Sequence, residues 1–255
     1  MEATLFRMFR GEVFKNKREL GLHLMFYFPI LIYLIVDVYL LSHPVNETCS
    51  VNPWIYLSQR YMFAFYALLY PIVISIFCFS LLDIEYRNDY LKKMFTLPIR
   101  SSSVFGGKIL YVVMTVFVSS LITYLLMLGS AFILEKKVPG YSFSSYDYGI
   151  NNFIYFMRLF IATLSISSLH LWLSTVFRTF AIPIGIAGLG AIVTLISQKW
   201  DYVEFIPYFS VFDMQNKYTS GNNDLFGKVE LINLVYIIIF LFLTLLQFTR
   251  LRNKR

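Results

Sequence analysis

Six long apolar runs dominate this chain, at 22–41, 61–82, 109–134, 153–176, 181–198 and 231–248. A helix of about 20 predominantly apolar residues matches the hydrocarbon thickness of a bilayer. Within that layer every backbone N–H and C=O must be satisfied inside the segment, which leaves the helix as the natural solution. Composition agrees: 58% of residues are hydrophobic and 15% charged, against about 45–50% and about 25% in a soluble domain. The abundance of Phe (26) and Tyr (19) suits the aromatic belts of membrane interfaces. The expected fold class is an all-α integral membrane protein of six transmembrane helices, with an N-terminal interfacial helix and both termini cytoplasmic.

Charge sets the expected orientation. With both ends inside, the N-terminal arm contributes Arg7, Arg10, Lys15, Lys17 and Arg18. The 83–108 loop adds Arg87, Lys92, Lys93, Arg100 and Lys108. Arg178 lies in the tight turn between the fourth and fifth runs, and Arg250, Arg252, Lys254 and Arg255 end the chain. Fifteen of 22 cationic residues then face the cytoplasm, as the positive-inside rule requires. The net charge of +7 is explained by topology and anionic lipid, and no nucleic-acid partner is needed.

The runs divide the chain into a cytoplasmic interfacial helix (1–21), one six-span domain (22–248) and a basic tail (249–255). In the first, Leu5, Phe6, Phe9 and Val13 share an arc of about 100°, with Arg7, Lys15 and Arg18 pointing away. Phe14 lies off that arc, and an ordinary basic juxtamembrane arm is the alternative. The first 21 residues are charged throughout and the next run is too long for a signal core, so no cleavable leader is expected. The outer segment 199–230 contains an apolar patch, 203–214, too short to span. It reads either as a re-entrant hairpin turning at Pro207 or as a loop folded over the bundle. Gly185, Gly188 and Gly190 in the fifth run permit close helix approach, without a GxxxG pattern.

Little in the chain looks catalytic. His170 stands among Ser165, Ser167 and Ser168, but no G-x-S-x-G and no nearby carboxylate accompany it. His23, His43 and His170 lack metal-ligand spacing, and Cys49 and Cys78 read as unpaired thiols. Neither a metal nor a cofactor is expected. The intramembrane ionisable residues are Asp37 and Arg158, both near the outer end, with His170 as a third titratable group. Asp37 and Arg158 fit a mutual ion pair or separate interface roles. Gly106-Gly107-Lys108 imitates a phosphate loop, but Ser102 and Ile109 stand where the motif needs Gly and Ser or Thr, so the chain does not bind ATP itself.

The segment 83–108, DIEYRNDYLKKMFTLPIRSSSVFGGK, is a 26-residue charged interruption between two spans. Connections in compact bundles are usually much shorter. Glu85 ends the second span, Tyr86 to Phe95 can form an amphipathic helix, Leu97-Pro98-Ile99 makes a turn, and Lys108 opens the third span. With the six spans and the interfacial helix, this order resembles the ABC-2 type permease, the membrane subunit of an ATP-binding-cassette transporter, over essentially the whole chain. Asn88-Asp89, where many members have Gly-Thr, and the segment 170–199 followed by Trp200 and Pro207-Tyr208 look closer to the branch that protects producers from lantibiotics.

The resemblance implies that 86–96 is a coupling helix seated in a groove of a cytosolic ATPase subunit, which acts as a dimer and binds the ATP. Tyr86, Tyr90, Leu91 and Met94 would form its apolar face. Arg87, Lys92 and Lys93 would meet the rim, with Glu85, Leu97 and Pro98 framing the helix. It further implies a second permease copy or homologue, a bacterial cytoplasmic membrane and, from the apolar spans, an amphipathic or hydrophobic cargo such as an antimicrobial peptide, lipid or drug. Two readings of other classes stand beside it: a stand-alone membrane enzyme using His170, and a scaffold or sensor that recruits cytosolic proteins through 83–108.

Overall fold

The structure, a computed structural model, describes residues 2–43, 52–61, 66–87, 101–138 and 140–253. Among them the chain forms nine α-helices and three short 3-10 turns, with no strand. The helices are α1 (Glu2–Asn16), α2 (Leu20–Ser42), α3 (Pro53–Tyr61), α4 (Tyr70–Arg87) and α5 (Ser101–Lys137). Then follow α6 (Gly149–Val176), α7 (Ala181–Ile196), α8 (Ser210–Thr219) and α9 (Lys228–Asn253). Four stretches are long and apolar enough to cross a bilayer: α2, 103–137 of α5, α6 and 228–250 of α9. α7 is apolar but has only 16 residues, about 24 Å of helix against a core of about 30 Å. α4 carries Asp83, Glu85 and Arg87 in its last turns.

α6 is the central helix. α9 packs along it, α4 and α5 flank it, and α8 lies across its N-terminal end. Its buried face is rich in hydroxyls, with Thr163, Ser165, Ser167, Ser168, Ser174 and Thr175 all withdrawn from the surface. Ser167 and Thr163 return their hydroxyl protons to carbonyls one turn back on the same helix, the usual way such side chains are satisfied away from water. Buried Cys78 of α4 is a free thiol whose Sγ donates to the carbonyl of Ser167, 3.4 Å away.

Pro29 sits inside α2 and has no N–H to give the carbonyl of Met25. Ser119 of α5 donates to that carbonyl at 2.7 Å, and the Tyr70 hydroxyl of α4 lies 3.0 Å from Ser119 Oγ. One missing backbone bond thus becomes a junction of α2, α4 and α5.

Several expected boundaries shift. The interruption at 83–108 is shorter in structure, because α4 runs on to Arg87 and α5 begins at Ser101. Helix persists through Glu85 and Lys108 because each charge is paired against neighbouring helices. The second span, expected at 61–82, is helical from Tyr70, with 62–65 outside the described residues. The fifth stops at Ile196. α3 was not expected. Pro53 opens it, and Asn52 Oδ1 accepts from the Trp54 amide at 3.0 Å, a combination that starts helices well.

The apolar part of 199–230 folds onto the bundle. Turns Val203–Phe205 and Pro207–Phe209 lead into α8, burying Val203, Tyr208, Phe209, Val211, Phe212 and Met214. Pro207 opens the second turn. Of the glycines of α7, Gly188 faces the Ile72 side chain of α4, which a Cβ there would meet at 4.0 Å, and the other two meet no helix. Gly185 faces open space, and a methyl on Gly190 would collide with the Tyr208 ring of this cap. Close helix contacts are at Gly107 of α5, where a Cβ would lie 2.7 Å from Met8 Cβ of α1, and at Gly21 of α2, where it would lie 2.7 Å from Phe77 Cα of α4.

Candidate functional site

At the end of the bundle where α1 crosses α5, four charged side chains from three helices meet. Lys108 of α5 is wholly buried, and its Nζ donates to Glu85 Oε1 at 2.8 Å and to both oxygens of Glu12 at 3.2 Å. An ammonium has three protons, and three acceptors surround this one. Lys15 completes the cluster, with its Nζ 2.6 Å from Glu85 Oε1 and 2.9 Å from Glu12 Oε2. Asn16 Nδ2 donates to Glu12 Oε2 at 3.1 Å and to the Glu12 carbonyl at 2.9 Å. Two cations and two anions leave no net charge.

The local sequence explains how α1 reaches this position. Glu12, Lys15 and Asn16 stand at i, i+3 and i+4, one stripe of a helix. That stripe turns inward, while Phe6, Val13 and Phe14 are exposed. Lys15, expected on the charged outward side, instead bridges Glu12 and Glu85. Gly107 permits this, since Met8 packs against the backbone one residue before Lys108. The sequence Gly106-Gly107-Lys108 is therefore a helix crossing followed by a buried cation.

Burial pushes the Glu12 carboxyl up, but Lys108 and Lys15 outweigh it and hold the group below the usual carboxylate range. Removing such charges from water costs several kcal/mol per ion, offset only when geometry and hydrogen bonding are good. Here the bonds are charge-assisted and shared among four groups. The arrangement holds position. It joins α1 to the last turns of α4 and the first turns of α5, the two helices that flank 88–100.

Tyr86, next to Glu85, is held differently. Its hydroxyl donates to the carbonyls of Ser174 and Thr175, each at 3.4 Å, in the last turn of α6, where carbonyls lack intrahelical partners. The Arg178 guanidinium lies 5.3 Å from the Tyr86 ring centroid. The end of α4 is thus fastened to α1 and α5 through Glu85 and to the α6–α7 turn through Tyr86. The other expected coupling residues, Tyr90, Leu91, Lys92, Met94, Leu97 and Pro98, lie outside the described residues, as does the side chain of Arg87.

A second charged cluster closes the opposite end. Arg158 of α6 is buried, with Nε 3.4 Å from Glu230 Oε1 of α9 and Nη2 donating to the Asp224 carbonyl at 2.6 Å. Lys217 of α8 binds Glu230 Oε2 at 2.7 Å and Asp213 Oδ2 at 2.6 Å. Burial raises the Asp213 carboxyl, with Lys217 opposing it. The carboxylate beside Arg158 is therefore Glu230, while Asp37 accepts a hydrogen bond from Ser130 Oγ at 2.7 Å. His170 lies between the two clusters, wholly buried, with Nε2 2.9 Å from the Tyr208 hydroxyl. Ser167 and Ser168 donate to carbonyls of their own helix. Among the described residues no group of three or more His, Cys, Asp or Glu is placed to hold a metal.

Glu85, Lys108 and Arg158 were visible as candidates in the sequence, and the structure joins the first two. Glu12, Lys15 and Glu230 were not singled out. The signal available for the α1 pair was an acidic residue set at i, i+3 with a lysine in an otherwise basic helix. A mostly apolar helical bundle with charge clusters at its two ends is the architecture of a polytopic membrane protein. The chain matches the family described as ABC-2 family transporter protein over residues 8–194 and belongs to that family, a class of membrane permease components of ABC transporters. Such members are in general non-catalytic membrane subunits that work with an ABC ATPase. No curated protein and no solved structure matches the chain.

Proposed function

We propose that this chain is the permease of an exporter energised by a separate ATPase dimer docking on 88–100, and that the Lys108 cluster is the rigid base through which that motion enters the bundle. The observation that carries this reading is the joining of α1, α4 and α5 by Glu12, Lys15, Glu85 and Lys108 beside that segment. A force on 88–100 then displaces three helices together. The ATPase would bias an inward-facing and an outward-facing arrangement through its different affinity for each. α4 and the short α7 complete six spans with both termini cytoplasmic, and a second copy or homologue pairs with this one across the substrate path.

The cargo proposed is amphipathic or hydrophobic, with an antimicrobial peptide, as in lantibiotic protection, ahead of a lipid or drug. Supporting this, the buried charges among the described residues, Glu12, Glu85, Lys108, Arg158 and Glu230, belong to the end clusters, while hydroxyls and His170 supply the polarity between them. The proposed setting is a bacterial cytoplasmic membrane.

The test is co-expression with the ATPase encoded beside it. Tyr90→Asp and Leu91→Asp should abolish co-purification, whereas Glu85→Gln should preserve the complex and uncouple ATP hydrolysis from cargo extrusion. A complex with normal coupled turnover in all three variants would overturn the proposal. Labelling of single cysteines placed near residues 5 and 250 only from the cytoplasmic side would establish the orientation.

A further inference from the structure

Beside the Lys108 cluster, α1, α2 and α5 enclose an open groove of about 310 Å³. Its walls are apolar: Phe9 and Val13 of α1, Leu22 and Phe26 of α2, Met114 and Val118 of α5. The groove starts where α1 crosses and follows α2 and α5 along their spanning direction. From Tyr111 to Val118 it covers two turns of α5, about 10 Å of helix. Lys17, at the α1–α2 junction, stands at its mouth.

Charge distinguishes this groove from another of similar volume. Phe205, Leu231, Ile232, Val235 and Tyr236 line an apolar groove of about 370 Å³ with Lys228 at its edge. There Lys228 is ion-paired with Glu204, so that mouth is neutral. At the α1 groove, Glu12 and Glu85 are already matched by Lys108 and Lys15. Lys17 is exposed and pairs with no carboxylate among the described residues. Its Nζ lies 5.7 Å from the Phe14 ring centroid, and the Arg10 guanidinium lies 5.6 Å from the same ring. The groove thus offers an apolar channel with Lys17 on its lining, and Arg10 stands no more than one ring, Phe14, from that lysine.

We propose that the α1–α2–α5 groove is a binding site for one anionic phospholipid, an acyl chain lying along Phe26 and Val118 and the phosphate on Lys17 and Arg10. The lipid packs against the outer side of α1 while the charge cluster holds its inner side. The site requires only that the chain sit in a bilayer, so it stands or falls separately from any transport activity.

Native mass spectrometry of the whole solubilised protein tests it, with dioleoylphosphatidylglycerol and dioleoylphosphatidylcholine titrated separately. The glycerol lipid should be retained preferentially. Lys17→Gln should reduce that preference about fivefold, the equivalent of about 1 kcal/mol for one cation at a lipid surface. Lys17→Glu should abolish it, and neither should alter the choline lipid. Val118→Trp, which fills the groove, should remove one adduct of either lipid. Lys228→Gln should leave the preference intact. The proposal is overturned if Lys17→Glu leaves the preference unchanged, or if Lys228→Gln lowers it as much. Lys17 is exposed, so its variants report on binding without threatening the fold.

Discussion

Lys108 Nζ lies 2.8 Å from Glu85 Oε1 with both side chains sealed from solvent, at 0% and 2% exposure. A pair so placed is costly to break from one side, because the survivor is left as an uncompensated buried charge. Lys108→Met should lower stability by about 3–5 kcal/mol. Adding Glu85→Leu should recover much of the loss, since Glu12 and Lys15 remain matched. Thermal unfolding of the solubilised single and double variants gives the coupling energy directly, and additive losses would show that the two act independently.

Glu12 makes the cluster sensitive to acid. Its folded carboxyl is held below the usual range by Lys108 and Lys15 against the upward push of burial. A depressed folded value means that the contribution is fully present above the unfolded value, about 4.3 for a free Glu, and is lost as pH falls through the folded one. Wild type should therefore exceed Glu12→Gln in stability at pH 7, with the gap closing below about pH 4. Melting temperatures of both proteins across that interval check this.

Gly107 and Gly185 should respond oppositely to alanine. A Cβ on Gly107 meets Met8 Cβ at 2.7 Å and the Met8 and Phe9 backbone at 3.1 Å, whereas Gly185 has nothing within 4 Å. Gly107→Ala must push α1 off α5 and should cost about 1–3 kcal/mol. Gly185→Ala should be neutral or slightly stabilising, given alanine's better helix propensity. Thermal stability of the two variants decides the matter.

At the opposite end, Glu230→Gln should destabilise more than Asp213→Asn. Glu230 is shared by Arg158 and Lys217, and it also accepts from the Gly227 amide at 3.0 Å. Asp213 is disfavoured as an anion by burial, so a neutral amide loses less there. Arg158→Met should release 220–227 from α6, read as faster proteolytic cleavage in that stretch.

The helices were legible to the extent that hydropathy alone produces them. α2, α6 and α9 lie within a few residues of the apolar runs, because a helix long enough to cross a bilayer must be predominantly apolar. Boundaries were missed where a charge is matched inside the bundle: Glu85 ends a span only as long as its partners Lys15 and Lys108 are unknown. Glu85 and Lys108 could be picked out by their order around Leu97-Pro98-Ile99. Glu12 and Lys15 could not, since a charged stripe on a basic helix reads as a solvated face until α4 and α5 are in place beside it. Glu230 was hidden in a similar way, its partner Arg158 standing on a different helix. α3 went unread because 53–61 is too polar for a search built on spans.

The inward-turned stripe of α1 also has a consequence for the order of events during synthesis. Glu12 leaves the ribosome 96 residues before Lys108. At about 5–20 residues per second, that is a wait of about 5–20 s. Throughout it Glu12 has only Lys15 of its own helix as a counterion, and α1 cannot take its native seat until the third long helix has been delivered. α1 is thus made well before it can dock, and its seat is completed by α5 while α6 to α9 are still to be synthesised.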